Sequence, residues 1–369
     1  MLPAAYAVLN LEALQHNLAK VRQHAPHSKV MAVIKANAYG HGQFRIAEQL
    51  PNVDAFAVAR VDEGVKLRQA GFKQRIAVLE GFTCKEELED LLQFDLDAVI
   101  HCFDQILILN NYTAHQQLNA WLKCDTGMNR LGFKRSEVNE AYQLLSTCPI
   151  VNQPISLMTH LANADNREDD KTVQQIRLFK QLTSSFSGER SIANSAGILG
   201  WHESLTDWVR PGVMLYGISP FSEQTGSQLG LQAVMSLHSR LIAVKNIEKG
   251  EAVGYAGRWI CEKPTRFGVV AIGYGDGYPR YAKTGTPVLV NSQRVPLIGR
   301  VSMDMITVDL ASQPDAKPGD PVVLWGQDLA VEEIAHCADT IPYTLLCGIT
   351  QRVQIVEHPF KLNTHLLYC

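Results

Sequence analysis

The chain has 369 residues, 46% of them hydrophobic, enough for two cores at about 150 residues per domain. Its 34 Lys and Arg nearly cancel 37 Asp and Glu, giving a net charge of −3 with the basic residues scattered, so neither nucleic acid nor an anionic membrane is an expected partner. The N-terminus lacks a basic leader with an unbroken apolar stretch, DAVIHCFDQILIL is interrupted by His101 and Asp104, and the eight cysteines form no C-x-x-C pair, which together point to a reducing, cytoplasmic setting.

From residue 29 to about 220, short β-branched apolar runs alternate with helical patterns. The expected strands are Val30–Lys35, Ala55–Ala59, Arg75–Leu79, Ala98–His101, Ala120–Cys124, Ile155–His160, Ser191–Asn194 and Leu205–Arg210. Helical periodicity marks Phe44–Leu50, Val61–Ala70, Lys85–Phe94, Arg135–Leu145 and Asp170–Phe186; in CKEELEDLLQF, Leu88, Leu91 and Leu92 share one side. Eight such units predict an α/β fold, a closed (β/α)8 TIM-type barrel; an open sheet is the alternative, but it usually stops near six strands, and no G-x-G-x-x-G follows the first strand. After residue 228 the texture turns to short strands at Arg266–Ile272, Pro287–Val290, Val295–Ile298, Met305–Leu310 and Pro321–Trp325, with FSEQTGSQLG as the linker candidate. The expected division is a barrel over 1–228 and a mostly β C-terminal domain over 229–369.

In such a barrel, the C-terminal ends of the strands carry the chemistry. They bring Lys35, Lys123, Arg130, His160, Asn194, Ser195 and Arg210 to one rim, with Asp125 the one acid, a setting for a small anion. Each has a plainer reading. A lysine ending a buried strand commonly snorkels to solvent; the functional alternative is an amine freed by neighbouring cations to attack a carbonyl. Asn194-Ser195-Ala196-Gly197 and Arg210-Pro211-Gly212 read singly as turns, yet they follow strands seven and eight, where barrels bind phosphate. His160 alone reads as a core histidine. His24 and His27 read as solvated, with no metal site expected, and GYGDGYPR (273–280) lacks the Lys-Ser/Thr of a P-loop.

VMAVIKANAYGHG closely resembles the pyridoxal-phosphate lysine motif of the alanine racemases. The likeness continues in the family's order through LKCDTGMNRLGF, MTHLANAD, SIANSAGIL, WVRPGVMLYGISP, GEAVGYAGR, GYGDGYPR, GRVSMDMITVDL and PYTLLCGITQRVQ. The resemblance implies a barrel plus a β domain, with Tyr6–Leu9 belonging to the latter, in a head-to-tail homodimer with shared active sites. It implies interconversion of L- and D-alanine, supplying D-alanine for peptidoglycan. Carried onto this sequence, Lys35 would hold pyridoxal 5'-phosphate and serve as one catalytic base, with Tyr255 of the partner subunit as the other. Arg210 would bond the pyridine nitrogen and Arg130 the phenolic oxygen. Tyr39, Ser195, Gly212, Val213 and Tyr343 would hold the phosphate, with His160 and Asn194 beside the cofactor. Arg130 and Met303 would meet the substrate carboxylate, and Lys123 matches a lysine that some members carry as a carbamate. An Arg on the ring nitrogen leaves that nitrogen unprotonated and the ring a weaker electron sink, which suits racemisation over transamination.

The chain departs from some members at Ser191, which stands where they have His. Three other readings compete. A non-catalytic pyridoxal-phosphate carrier would lack the β domain with Tyr255, Met303 and Tyr343. A barrel decarboxylase would carry a glycine-rich phosphate loop and a cysteine signature that are absent here. Broad-specificity racemases tend to carry signal peptides.

Overall fold

A computed structural model describes residues 3–113 and 115–358. The described residues form two compact units, 18–215 and 3–17 with 216–358.

In chain order the first strand is β1 (Tyr6–Asn10), followed by eight that close into a parallel barrel: β2 (Lys29–Val33), β3 (Ala55–Val58), β4 (Arg75–Val78), β5 (Asp97–Ile100), β6 (Ala120–Lys123), β7 (Ser156–Met158), β8 (Arg190–Ser191) and β9 (Trp208–Val209). Barrel strands are covered on both faces, which is why KVMAV, AFAV and DAVI read as near-continuous apolar runs. The helices between them bury one stripe; in Lys85–Gln93 it is Leu88, Leu91 and Leu92. The (β/α)8 barrel anticipated from alternation is therefore present, with its open-sheet alternative set aside by the β2–β9 pairing that closes the ring.

Three strands are shorter than their apolar runs. Leu205–Arg210 narrows to Trp208–Val209, and Ile155–His160 to Ser156–Met158. Ser191–Asn194 gives way because the Asn194 side chain accepts the Gly197 N–H at 2.9 Å, capping a helix over Ser195–Gly200.

The second unit is built on β10 (Met235–Ile247), β11 (Ala252–Val253), β12 (Trp259–Ile260), β13 (Thr265–Val270), β14 (Pro287–Val290), β15 (Gln293–Ile298), β16 (Ile306–Asp309), β17 (Pro321–Trp325) and β18 (Gln354–His358). The long β10 pairs with both β17 and β13, so the order β13-β16-β15-β14-β17-β10 returns on itself. β1 lies in this sheet, antiparallel to β10 and parallel to β18, with Ala7 and Leu9 fully buried. Two short helices, Val331–Cys337 and Pro342–Cys347, belong to the same unit. Residues 359–369 of the anticipated β domain lie outside the described residues. Among the described residues, no helix is long and apolar enough to cross a membrane.

Candidate active site

Lys35 stands just past the end of β2, and the chain does something there that its composition does not announce. Ala36, Asn37, Ala38 and Tyr39 all take φ between 51 and 54°, a full turn of left-handed helix made without glycine. For L-residues that conformation costs about 1–2 kcal/mol each, so it persists only where the surroundings hold it. The Asn37 carbonyl accepts the Gly42 N–H at 2.9 Å and its side chain the Gln43 N–H at 2.9 Å. Beneath the turn, fully buried His41 directs Nδ1 at the Ala38 and Tyr39 carbonyls, both at 3.0 Å. Carbonyls only accept, so Nδ1 carries the proton. Burial pushes this imidazole down to about 4 against those two bonds.

Around Lys35 the strand ends gather cations. Burial pushes the Lys123 amine down to about 8, assisted by the charges of Arg210, Arg130 and Lys35 and opposed by Asp125. His160 is held well below the usual histidine range by burial first, then by Arg210, Lys123, Arg130 and Lys35. It is therefore a neutral ring within reach of four positive groups. Asp125 is buried, which pushes its carboxyl up, but Lys134 at 2.5 Å and the N–H groups of Asn129 and Gly127 more than offset this. These bonds fold the loop so that Asn129 takes φ 56° and Arg130 emerges exposed.

Arg210 follows β9 and is buried at 4% exposure, which pushes its guanidinium down to about 10. It donates to Ser191 Oγ at 2.5 Å and to the carbonyls of Thr159 and Ile192 at 2.6 and 3.3 Å. All three acceptors are neutral, so Arg210 keeps its full charge inside the barrel. Ser191 is thus the hydroxyl that orients Arg210, and it donates its own O–H to the Trp208 carbonyl at 3.1 Å. Gln175 ties the neighbouring loops together, donating to Thr126 Oγ1 and the His160 carbonyl, both at 3.2 Å, and accepting the Ala162 N–H at 2.8 Å. Gln175 is marked by no sequence motif.

A second group of donors converges at the same barrel end. Ser195 Oγ accepts the N–H groups of Gly212 and Met214 at 2.9 and 3.3 Å, and Val213 opens a short 3-10 turn. A Cβ on Gly212 would stand 2.7 Å from the Tyr39 hydroxyl. Tyr39 OH, Ser195 Oγ and the Gly212 backbone therefore line one small cradle that only glycine keeps open, and Asn194 caps the helix behind it. The Tyr39 and Ser195 hydroxyls, the latter fixed by these N–H groups, and the surrounding cations form a donor set suited to a phosphate ester.

Tyr255, Met303 and Tyr343 stand in the other unit. Tyr255 is 65% exposed at the tip of the β11–β12 hairpin, between Gly254 (φ 76°) and Ala256 (φ 61°). Val253, Cys261, Ile247 and Ile298, with Trp259 against them, anchor that hairpin. Met303 is also exposed, on a loop whose Ser302 and Met303 carbonyls accept the Tyr274 and Gly275 N–H groups at 3.0 and 2.8 Å. Thr350 Oγ1 donates to the Gly275 carbonyl at 2.9 Å and so joins this loop to the segment after the helix that bears Tyr343. Among the described residues, no three His, Cys, Asp or Glu gather as a metal site.

Comparison with known proteins bears on this arrangement along nearly its whole length. Residues 9–220 match the family description "Alanine racemase, N-terminal domain" and 234–357 "Alanine racemase, C-terminal domain". The chain is 48% identical to the alanine racemase of Vibrio parahaemolyticus over 352 residues, 95% of this chain and 98% of that one. It is 49% identical to that of Aeromonas hydrophila over 350 residues, again 95% and 98%. Among solved structures it is similar to the biosynthetic alanine racemase of Pseudomonas aeruginosa, with a TM-score of 0.94, 41% identity, and 97% and 99% of the two chains covered. It is also similar to the Bartonella henselae alanine racemase with covalently bound pyridoxal phosphate, at a TM-score of 0.87, 28% identity, and 96% and 99% coverage. The chain belongs to the alanine racemase family of isomerases.

Proposed function

We propose that this chain interconverts L- and D-alanine with pyridoxal 5'-phosphate as cofactor, by two bases acting on opposite faces of Cα, and thereby supplies D-alanine for peptidoglycan. The observation that carries the reading is the coincidence, at one barrel end, of the Tyr39–Ser195–Gly212 cradle with the cationic group of Lys35, Lys123, Arg130 and Arg210. The cradle matches a phosphate ester in donors and in the space a Cβ would fill, and Arg210 adds a neutral-bonded guanidinium for a ring nitrogen. When bound, the cofactor spreads the charge that develops at Cα into its ring.

Lys35 is the residue that would bind it covalently, with Tyr39, Ser195, Gly212, Val213 and Tyr343 holding the phosphate and Asn194 setting the Ser195 helix. Lys35 then moves the Cα proton on one face, and Tyr255 of the partner subunit moves it on the other, in a homodimer with shared sites. Arg130 and Met303 receive the substrate carboxylate. A tyrosine base needs its phenolate stabilised, since its free pKa is near ~10. Burial, with the cations around it, keeps the His160 ring neutral, and its one N–H serves here as a hydrogen-bond donor. Burial, with those cations, leaves Lys123 partly neutral near pH 8, the form that adds carbon dioxide and releases a proton to become a carbamate anion facing Arg130.

The test follows optical rotation and Cα deuterium together, with the protein, pyridoxal phosphate and L-alanine in D₂O. Loss of rotation with deuterium uptake is expected; cofactor binding without either change would return the carrier reading. In the same assay, Tyr255→Phe is expected to slow exchange from L-alanine far more than from D-alanine. Equal losses would remove the two-base assignment.

A further inference from the structure

Glu63 lies outside every motif discussed so far, yet its carboxylate reaches the residue next to Lys35. It sits in the first turn of the helix Val61–Gln69, half-buried. The Ala36 N–H donates to its Oε1 at 2.8 Å, while the Ala59 and Arg60 N–H groups donate to Oε2 at 2.7 and 3.3 Å. The last bond of the β2–β3 ladder region is from Ile34 N–H to the Ala57 carbonyl at 2.9 Å. Beyond it the two chains diverge, and the carboxylate takes over as the link between them.

The geometry points to Glu63 as a positioning residue that sets the direction in which Lys35 leaves the barrel wall. Holding the Ala36 N–H fixes the first residue of the left-handed turn, which no L-residue adopts without external support. The bonds of Asn37 and His41 close the far side of that turn; on the Lys35 side the Ala38 N–H donates to the Ile34 carbonyl at 3.0 Å, and Glu63 adds a side-chain restraint on the Ala36 N–H. An ordinary helix-capping carboxylate needs only the Ala59 and Arg60 bonds. The third bond, across to another strand end, is what a cap alone does not require. A swing of the Lys35 backbone would carry its amine and the Tyr39 hydroxyl away from their places together.

This inference rests on the two-base reading for its kinetic signature and on the turn itself for its structural one. The experiment uses Glu63→Gln in the holoenzyme, an equal-sized change that turns one acceptor oxygen into an NH₂ facing backbone donors. Cα exchange from D-alanine, the Lys35 side, is expected to slow about 10- to 100-fold, with exchange from L-alanine changed less than about threefold. Amide hydrogen exchange at Ala36–Tyr39 is expected to accelerate about tenfold or more while the other barrel strands stay protected. Asp62→Asn, which removes the charge paired with Lys66 at 2.7 Å while keeping an oxygen for the Glu63 N–H and leaving the Glu63 carboxylate in place, is expected to leave both unchanged. Equal slowing of both half-reactions with only a lower melting temperature would reduce Glu63 to a helix cap and overturn the proposal. If Tyr255→Phe shows no asymmetry, the two-base reading fails, and amide exchange at Ala36–Tyr39 alone decides: unchanged protection overturns the role of Glu63, faster exchange upholds it.

Discussion

The two ends of the barrel are built on opposite electrostatic plans. At the C-terminal end, Lys35, Lys123, Arg130 and Arg210 crowd together with little acid, and burial and repulsion push Lys123 and His160 toward their neutral forms. At the N-terminal end Arg75 and Lys29 are matched by acids. Trp121 and Trp208 meet edge to face at 5.9 Å, and Arg75 stacks on both at 5.7 and 5.4 Å. Arg75 bonds Asp97 at 2.5 Å, Trp121 Nε1 donates to the same carboxylate at 3.0 Å, and Glu189 takes Lys29 at 2.5 Å and Trp208 Nε1 at 2.6 Å. One end is a plug whose Arg75 and Lys29 are paired with acids. The other gathers more cations than acids, with a strained turn and a cradle, features that cost stability.

That contrast can be broken by substitution. The largest effect is expected from Asp97→Ala, which strands Asn119 and Trp121 Nε1 without their acceptor and leaves Arg75 only the longer pair with Glu189 at 3.8 Å. It is expected to lower unfolding stability by roughly 3–5 kcal/mol while kcat of the folded fraction holds, as read from denaturant melts and steady-state rates. Should kcat fall in step, the ends are not separable.

Acid is expected to attack the other end through His41. Its folded pKa of about 4 lies below the unfolded value of 6.5, so the unfolded chain takes up the proton first. Stability is therefore lost as pH falls from 6.5 toward 4, by about 3 kcal/mol from this group at pH 4. Melts across that window, with amide exchange at Ala36–Tyr39, would show whether the Lys35 turn opens first.

The smallest effect has the opposite sign. Lys123→Met removes a buried cation from a cationic group and is expected to stabilise the cofactor-free protein at pH 7 by on the order of 1 kcal/mol while impairing racemisation. A destabilised variant would mean that Lys123 already pairs with a negative partner.

Much of the barrel was legible because a strand covered on both faces must be apolar throughout. The runs at 55–59, 75–79 and 98–101 accordingly fall within about a residue of the observed strands. Strand ends were less legible where side chains compete for the backbone, as Asn194 does by capping a helix in what reads as a strand. Lys35, Ser195 and Arg210 could be singled out because they end apolar runs. The roles of Ser191, Gln175 and Glu63 could not, because each consists of bonds to residues 13 to 49 positions away.

By itself the sequence determined the alternation that closes a barrel, the β texture that follows the barrel and the family to which the motifs belong. Periodicity and motif are local properties, and 369 residues repeat them often enough to be read. Tertiary structure alone decided that Ala36–Tyr39 would wind left-handed, that β1 would pair with β10 and β18, and that four cations would share one end of the barrel. Each of these is locally unfavourable or locally silent, and each is held by groups that only folding brings within hydrogen-bond or Coulomb range.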